Sequence, residues 1–345
     1  MGGRLDPAVA SARLSLRASL AALPGPADGD GGLVLVGLSG GADSLALAVT
    51  TAFVAPRERL RWGVVIVDHA LQQGSDAIAA TAARQAERLG ADPVRLVRVD
   101  VGVPCGHGPE AAARTARYAV LDQAASELGA AAVLLAHTRD DQAETVLLGL
   151  ARGSGARSLA GMRPRVDQPA GQLLRPFLDL TRADTLAVCA AAGVAPWSDP
   201  HNQDPAYLRS RVRTTVLPVL EQHLGPGVSE ALSRTATLLR DDADLLDTLA
   251  AELFDEASTS VPGDACVVLP ISALSTAPPA LRRRLLRLAA LAAGAPGNDL
   301  AATHVDAVDR LTTHWRGQRG IDLPGRVQVR RVDATLHFTG PAVGR

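Results

Sequence analysis

The chain has 345 residues, a formal net charge of −1, 47% hydrophobic residues and only 3% aromatics. That length allows two domains, the near-neutral charge excludes a global basic field for nucleic acid, and an Ala- and Leu-rich composition disfavours a β-sandwich. All 35 cationic residues are arginine, so no lysine can clamp a phosphate or form a Schiff base.

Residues Pro7 to Leu23 predict a short amphipathic helix, followed by the flexible connection LPGPADGDGG to Gly32. Short apolar runs then alternate with helical patterns. Strands are predicted over Leu33–Leu38, Gly63–Val67, Val94–Val101 and Ala132–Ala136, with helices over Ser44–Ala55, Ser75–Leu89, Glu110–Leu128 and Asp141–Arg152. This alternation implies βαβ units and a doubly wound, mostly parallel sheet, with ligands beyond the carboxyl ends of its strands. Near Pro196 the pattern changes. Asp204–Leu224 is helical with a basic start, and Val228–Glu256 is one long helix, broken by Pro262–Val268. Helices follow over Ala280–Ala293 and Ala301–Trp315, and GIDLPGRVQVRRVDATLHF closes the chain as a small β element. The main boundary falls near residue 218. Cys105, Cys189 and Cys266 are scattered and form no CxxC, which argues against zinc, iron–sulfur and disulfide frameworks. No apolar leader and no membrane-length run is present, so a soluble, cytoplasmic protein without membrane partners is expected.

The first strand feeds Ser39-Gly40-Gly41-Ala42-Asp43-Ser44. Glycines let the backbone turn tightly, and the following helix N-terminus adds roughly half a positive charge. The Ser39 and Ser44 hydroxyls can also donate, giving an anion cradle made without lysine. Asp43 is the informative residue, because a carboxylate beside a phosphate repels it unless a cation lies between; Mg²⁺ is the natural mediator. In AHTRDDQAET, Ala136 to Thr145, His137 leaves a strand end and Asp141 and Glu144 share a helix face. With Asp43 they would form a three-carboxylate site at one rim of the sheet, while Asp140 matches the helix dipole.

The string SGGADS after a strand resembles the PP-loop of the N-type ATP pyrophosphatases, and the Walker pattern is absent. AHTRDDQAET is similar to the HHxxDDQAET-like string of the tRNA(Ile)-lysidine synthases, with Thr138 in place of the second histidine. VDHAL (Val67–Leu71) resembles that family's VDHxLR, with Gln72 where arginine is usual. PEAAARTARYAVL resembles its E-A-x-R-x-x-R-Y helix and places Glu110, Arg114 and Arg117 on one side. RPFLDLTR (Arg175–Arg182) resembles its RPLL segment, and WSDPHNQDPAYLRSRVRTTVLPVL its W-x-x-D-x-x-N…RNxIR…LP, with Ser210 for the asparagine. The likeness is strong over 33–220 and loose beyond.

The resemblance implies an adenine nucleotide α-hydrolase-like α/β fold with a smaller, mainly helical C-terminal region ending in a small β element. It implies an N-terminal helix and linker at 1–32, an ATP-binding catalytic domain at 33–218 and a tRNA- or substrate-binding region at 219–345. The implied reaction is ATP-dependent adenylation of O2 of the wobble cytidine in a CAU-anticodon tRNA(Ile). Free L-lysine then attacks C2, forming lysidine and releasing AMP. ATP would lie on Ser39, Gly40, Gly41, Ala42, Asp43 and Ser44, with Asp68 and His69 near the adenosine. Asp43 and Asp141 are metal or substrate carboxylates for Mg²⁺, Glu144 binds or deprotonates the lysine amine, and His137 meets the base or a phosphate. Glu110, Arg114, Arg117, Arg209, Arg211 and Arg213 face tRNA or substrate, with a further six arginines between Arg310 and Arg331, where Trp315 could stack on a base. A homodimer is also within the expectation. The rivals are a tRNA thiolase, which lacks a cysteine pair here, an amidotransferase synthetase domain, which lacks a glutaminase motif, and a non-catalytic nucleotide- or tRNA-binding module.

Overall fold

The computed structural model describes residues 5–21, 23, 31–70, 74–99, 109–153, 155–198, 204, 206–260 and 266–341. The chain divides into two compact units, Met1–Leu238 and Leu239–Arg345.

The first unit is built on a six-stranded sheet of order β3-β2-β1-β4-β6-β5. The strands are β1 (Leu33–Gly37), β2 (Arg61–Asp68), β3 (Val94–Arg98), β4 (Ala130–Leu134), β5 (Arg165–Gln168) and β6 (Gly171–Leu174). β3, β2, β1, β4 and β6 are parallel, and β5 alone runs antiparallel at the edge. β1 is buried at all five positions, as a central strand covered on both faces must be. Its side chains alternate between two cores. Val34 and Val36 pack with helices α1 (Pro7–Leu20), α2 (Ala42–Val54), α3 (Ser75–Arg88) and α7 (Arg182–Ala191). Leu33 and Leu35 pack on the opposite face with α4 (Pro109–Leu128). Gly63 of β2 lies against Pro93, whose carbonyl oxygen would be 2.5 Å from any Cβ placed there, so glycine permits the β2–β3 approach.

Helix α5 (Arg139–Ala151) follows β4, and the short α6 (Ala156–Leu159) leads to the β5–β6 hairpin. α8 (Leu208–Arg211), a π-helical turn at Val212–Val216 and α9 (Leu217–Leu224) form one interrupted helical run. α10 (Val228–Ala257) contains the division between the units, which lies after the sequence-read boundary near 218.

The second unit is a five-stranded antiparallel sheet of order β7-β8-β11-β10-β9, formed by β7 (Thr259–Ser260), β8 (Cys266–Pro270), β9 (Ile321–Leu323), β10 (Val327–Val332) and β11 (Thr335–Thr339). Helices α11 (Ile271–Thr276), α12 (Pro279–Ala292) and α13 (Ala302–Thr313) cover it. Phe338, Leu336, Val329, Leu269, Leu285 and Ala289 make its core. Both the mostly parallel α/β unit and the smaller helical region ending in β structure match the fold class expected from sequence. No helix among the described residues is long and apolar enough to cross a membrane.

Candidate active site

The turn between β1 and α2 sits where a parallel sheet offers its ligand crevice. Gly40 has φ +82°, a conformation costly for any residue with a Cβ, and its carbonyl accepts the Trp197 main-chain N–H at 2.9 Å. Ser44 is buried and braces the turn from inside: its hydroxyl donates to the Gly41 carbonyl at 3.0 Å and accepts the Ser39 N–H at 3.1 Å. The Ser39 side chain stays exposed at the mouth. Gly41 is the N-cap of α2, so Ala42, Asp43 and Ser44 lie in its first turn, where N–H groups lack intrahelical partners. A pocket of about 350 Å³ opens beside Gly40, walled by Ile78, Thr81, Ala82, Gln85, Pro196 and Trp197 among others.

Asp43 is held from α7. Thr185 Oγ1 donates to its Oδ1 at 2.6 Å, and Arg182 Nη1 lies 3.5 Å from Oδ2. Burial pushes the Asp43 carboxyl above the usual range, Asp141 adds to the rise, and Thr185, Arg182 and Arg213 oppose it. Asp43 and Asp141 therefore share one electrostatic environment. Thr138, the departure from the family's second histidine, is the N-cap of α5, and its main-chain N–H donates to Asp141 Oδ2 at 2.8 Å. The other Asp141 oxygen accepts from Arg213 Nη2 at 3.1 Å, while Arg213 Nε donates to Glu144 Oε1 at 2.6 Å. Glu144 is fully buried, its carboxyl is raised by burial against the pull of Arg213, and its Oε2 has no hydrogen-bond partner. Arg213 thus bridges two of the three acids; the sequence offered it only as a phosphate or substrate contact. Arg209 donates to Thr145 Oγ1 at 3.1 Å, and Arg211 is exposed.

Across the rim lies a cationic group. Arg114 donates to the Tyr118 hydroxyl at 3.2 Å, and Arg175 donates to the Arg163 carbonyl and to Tyr118. Arg117 is lowered below the usual guanidinium range, first by burial. His69 and His137 each have a buried Nδ1 without a partner. Burial lowers the His69 imidazole, with Arg117 adding to the effect. Burial, against the pull of Asp141, and then Arg175, Arg117 and Arg114 push His137 down to about 3. Asp68 is turned inward and accepts the Ala70 N–H at 3.0 Å. Burial raises its carboxyl, but that bond together with Ser75, Arg98 and His69 brings it below the usual range. Glu110 is the second residue of α4; its side chain lies outside the described residues.

Sequence reasoning missed Thr185 and Arg182, because the helix that carries them was not predicted. Its signal was present: Thr181 and Asp184 form a reciprocal capping box at the start of α7. Asp140, read as a dipole-matching acid, also accepts the Arg182 main-chain N–H at 2.8 Å and ties α7 to α5. In the second unit, Arg331 lies over the Trp315 ring at 5.3 Å, and Trp315 is partly exposed.

Among the described residues no three His, Cys, Asp or Glu side chains gather as a metal cage. The oxygens of Asp43 and Asp141 nevertheless fit Mg²⁺, which takes one or two carboxylates and completes its shell with phosphate oxygens and water. A carboxyl pushed up by burial and by a neighbouring acid gains from such a cation.

Residues 18–220 match the PP-loop domain model, and residues 269–337 match the TilS substrate binding domain. The chain is 56% identical over 330 residues to the tRNA(Ile)-lysidine synthase of Thermobifida fusca (strain YX), covering 96% of this chain and 97% of that one. It is 54% identical to the enzyme of that name from Leifsonia xyli subsp. xyli, over 93% and 97% of the two chains. To the one from Mycobacterium tuberculosis it is 50% identical, over 87% of each. Among solved structures, the U34-tRNA thiolase NcsA from Methanococcus maripaludis with its [4Fe-4S] cluster superposes with a TM-score of 0.55 over 68% of this chain and 80% of that one. At 18% identity that likeness shows the fold alone. Of the described cysteines, Cys189 is buried in the first unit, with its thiol pushed up to about 11 by burial and by Asp43, and Cys266 lies in the second.

Proposed function

The chain belongs to the tRNA(Ile)-lysidine synthase family, and from that premise we propose how its site performs the reaction. The protein is a ligase that uses ATP through its PP-loop domain and forms lysidine in tRNA. ATP lies with its phosphates on the main-chain N–H groups of Ser39–Ser44, where the helix terminus favours negative charge. Asp43 and Asp141 would hold Mg²⁺, and the bound cation would supply neutralising charge for the phosphates. The wobble cytidine O2 bonds to the α-phosphorus and pyrophosphate leaves. The lysine amine then bonds to C2, and the C2–O2 bond breaks to release AMP.

Glu144 receives the lysine ε-ammonium on Oε2, the buried oxygen that lacks a partner. Its raised carboxyl makes it a better base than an exposed glutamate, which suits an amine that must lose a proton before attacking. Neutral His137 and the rim arginines face the splayed-out base, and Arg209 and Arg211 take phosphates of the anticodon loop. Free L-lysine, Mg²⁺, the CAU-anticodon specificity, a cytoplasmic setting and a homodimer belong to the same reading, through the resemblance of the motifs to the family's. The observation that carries the mechanism is the joining of Asp141 and Glu144 by Arg213 within electrostatic reach of Asp43. The test is incorporation of radiolabelled lysine into a CAU-anticodon transcript with ATP and Mg²⁺. Replacing Asp43 by alanine is expected to cut it by about 10³-fold or more; incorporation that survives that change removes the mechanism as drawn.

A further inference from the structure

Arg182 is a cation at the mouth of the glycine turn to which the mechanism above gives no role. The foot of its side chain is fixed: its main-chain N–H donates to Asp140 Oδ2 at 2.8 Å, and the nearby Leu180 carbonyl accepts the Arg139 N–H at 2.8 Å. Its head is loosely held. Nη1 is 3.5 Å from Asp43 Oδ2, long for a charge-assisted bond, and the side chain is 39% exposed. The remainder of the guanidinium fork makes no hydrogen bond among the described residues. Asp43 does not depend on this contact for its orientation, since Thr185 holds the other oxygen at 2.6 Å.

The neighbouring arginines are engaged elsewhere. Arg213 spends Nε and Nη2 on Glu144 and Asp141. Arg175 directs Nη1 and Nη2 to the Arg163 carbonyl and Tyr118, and its remaining Nε is buried. Among the cations that act on Asp43, Arg182 comes before Arg213. In a chain without lysine, a permanently charged side chain that meets a triphosphate is a guanidinium, whose planar fork suits phosphate oxygens.

We propose that Arg182 leaves Asp43 to bind the β- and γ-phosphates of ATP, and stays on pyrophosphate as it departs. In the adenylating step the cytidine O2–Pα bond forms and the bond from Pα to the α,β-bridging oxygen breaks. That oxygen leaves with the electron pair, and Arg182 offers N–H donors to the charge released. The inference rests on the reading of Ser39–Ser44 as the ATP loop.

Calorimetry on the full chain in Mg²⁺ tests it, with α,β-methylene-ATP, pyrophosphate and AMP as probes. R182M is expected to weaken the triphosphate analogue and pyrophosphate by about 10-fold or more while AMP binding changes less than about 2-fold. R182K is expected to fall between wild type and R182M. The AMP arm also reports that the variant is folded. Equal weakening of AMP and triphosphate, or no weakening of either, overturns the proposal. So does T185V reproducing the selective loss, because the effect would then run through the orientation of Asp43. A wild-type chain that ignores the triphosphate analogue overturns the ATP reading itself, whereas one that binds it as well as R182M does overturns only the role of Arg182.

Discussion

In the first unit Arg213 Nε lies 2.6 Å from Glu144 Oε1; in the second, Arg282 Nε lies 2.6 Å from Asp309 Oδ1. The chemistry is the same and the surroundings differ. Arg282 and Asp309 are each 12% exposed, both carboxylate oxygens face the guanidinium, and Arg282 Nη1 donates to the Ala277 carbonyl at 3.1 Å. One charge meets one charge, and the polar atoms are used. Arg213 instead serves two acids, with Asp43 close enough to raise its affinity for a proton, and one oxygen of Glu144 is sealed from water without a donor. Buried polar groups left partly satisfied cost stability. That cost is understandable where a cationic substrate completes the network, and such perturbed carboxyls mark functional sites. The second unit uses the ion pair to hold α12 to α13; in the first, Arg213 is shared between two acids and one Glu144 oxygen is left without a partner.

Two substitutions, one in each ion pair, separate these roles. Glu144→Gln is expected to lower lysine incorporation by about 10²-fold or more, the scale of a lost general base. Its melting temperature should hold or rise, because a carboxyl whose charged form burial disfavours gives way to a neutral amide while Arg213 keeps Asp141. Asp309→Asn is expected to do the reverse. It leaves Arg282 buried without a counter-charge, for a loss of about 3 kcal/mol in stability, while kcat per folded molecule stays at the wild-type value. Thermal scans of both variants beside single-turnover assays decide it. If Glu144→Gln destabilises as much as Asp309→Asn, the rim network is ordinary structural glue.

The parallel sheet was legible because each of its central strands is an apolar run bounded by turn residues, and β1 through β4 fall close to where the pattern puts them. The β5–β6 hairpin was not: Arg165, Asp167, Gln168 and Gln172 leave these two four-residue strands no apolar run long enough to recognise. β8 was read as a break after the long helix for a different reason: its apolar run is short, and its pairing partner β11 lies some seventy residues on. Within the site, the glycine turn and the Asp141–Glu144 face follow from local spacing. Thr185 and Arg182 are 142 and 139 residues from Asp43 in the chain, and local spacing carries no information about a partner that distant. Arg213 was found as a charge but not as a bridge, since sequence shows where a cation is and not which acids it meets.

His137 gives the smallest and most diagnostic test, because it separates the cationic side of the rim from the acidic one. Burial and three guanidinium groups hold its imidazole at about 3, against the unfolded value of about 6.5. Between those values the unfolded chain binds a proton that the folded chain refuses, so stability falls as pH drops below the unfolded value and is insensitive to this group above it. At about pH 5 the loss from this residue reaches about 2 kcal/mol. His137→Asn removes the titration, so the fall in urea midpoint between about pH 7 and pH 5 should be shallower than in wild type by a matching amount. Equal slopes in the two chains mean that His137 titrates as it would in water and that Arg114, Arg117 and Arg175 do not act on it together. An imidazole held at about 3 is neutral throughout the working range, so a rate inflection near neutral pH does not come from His137.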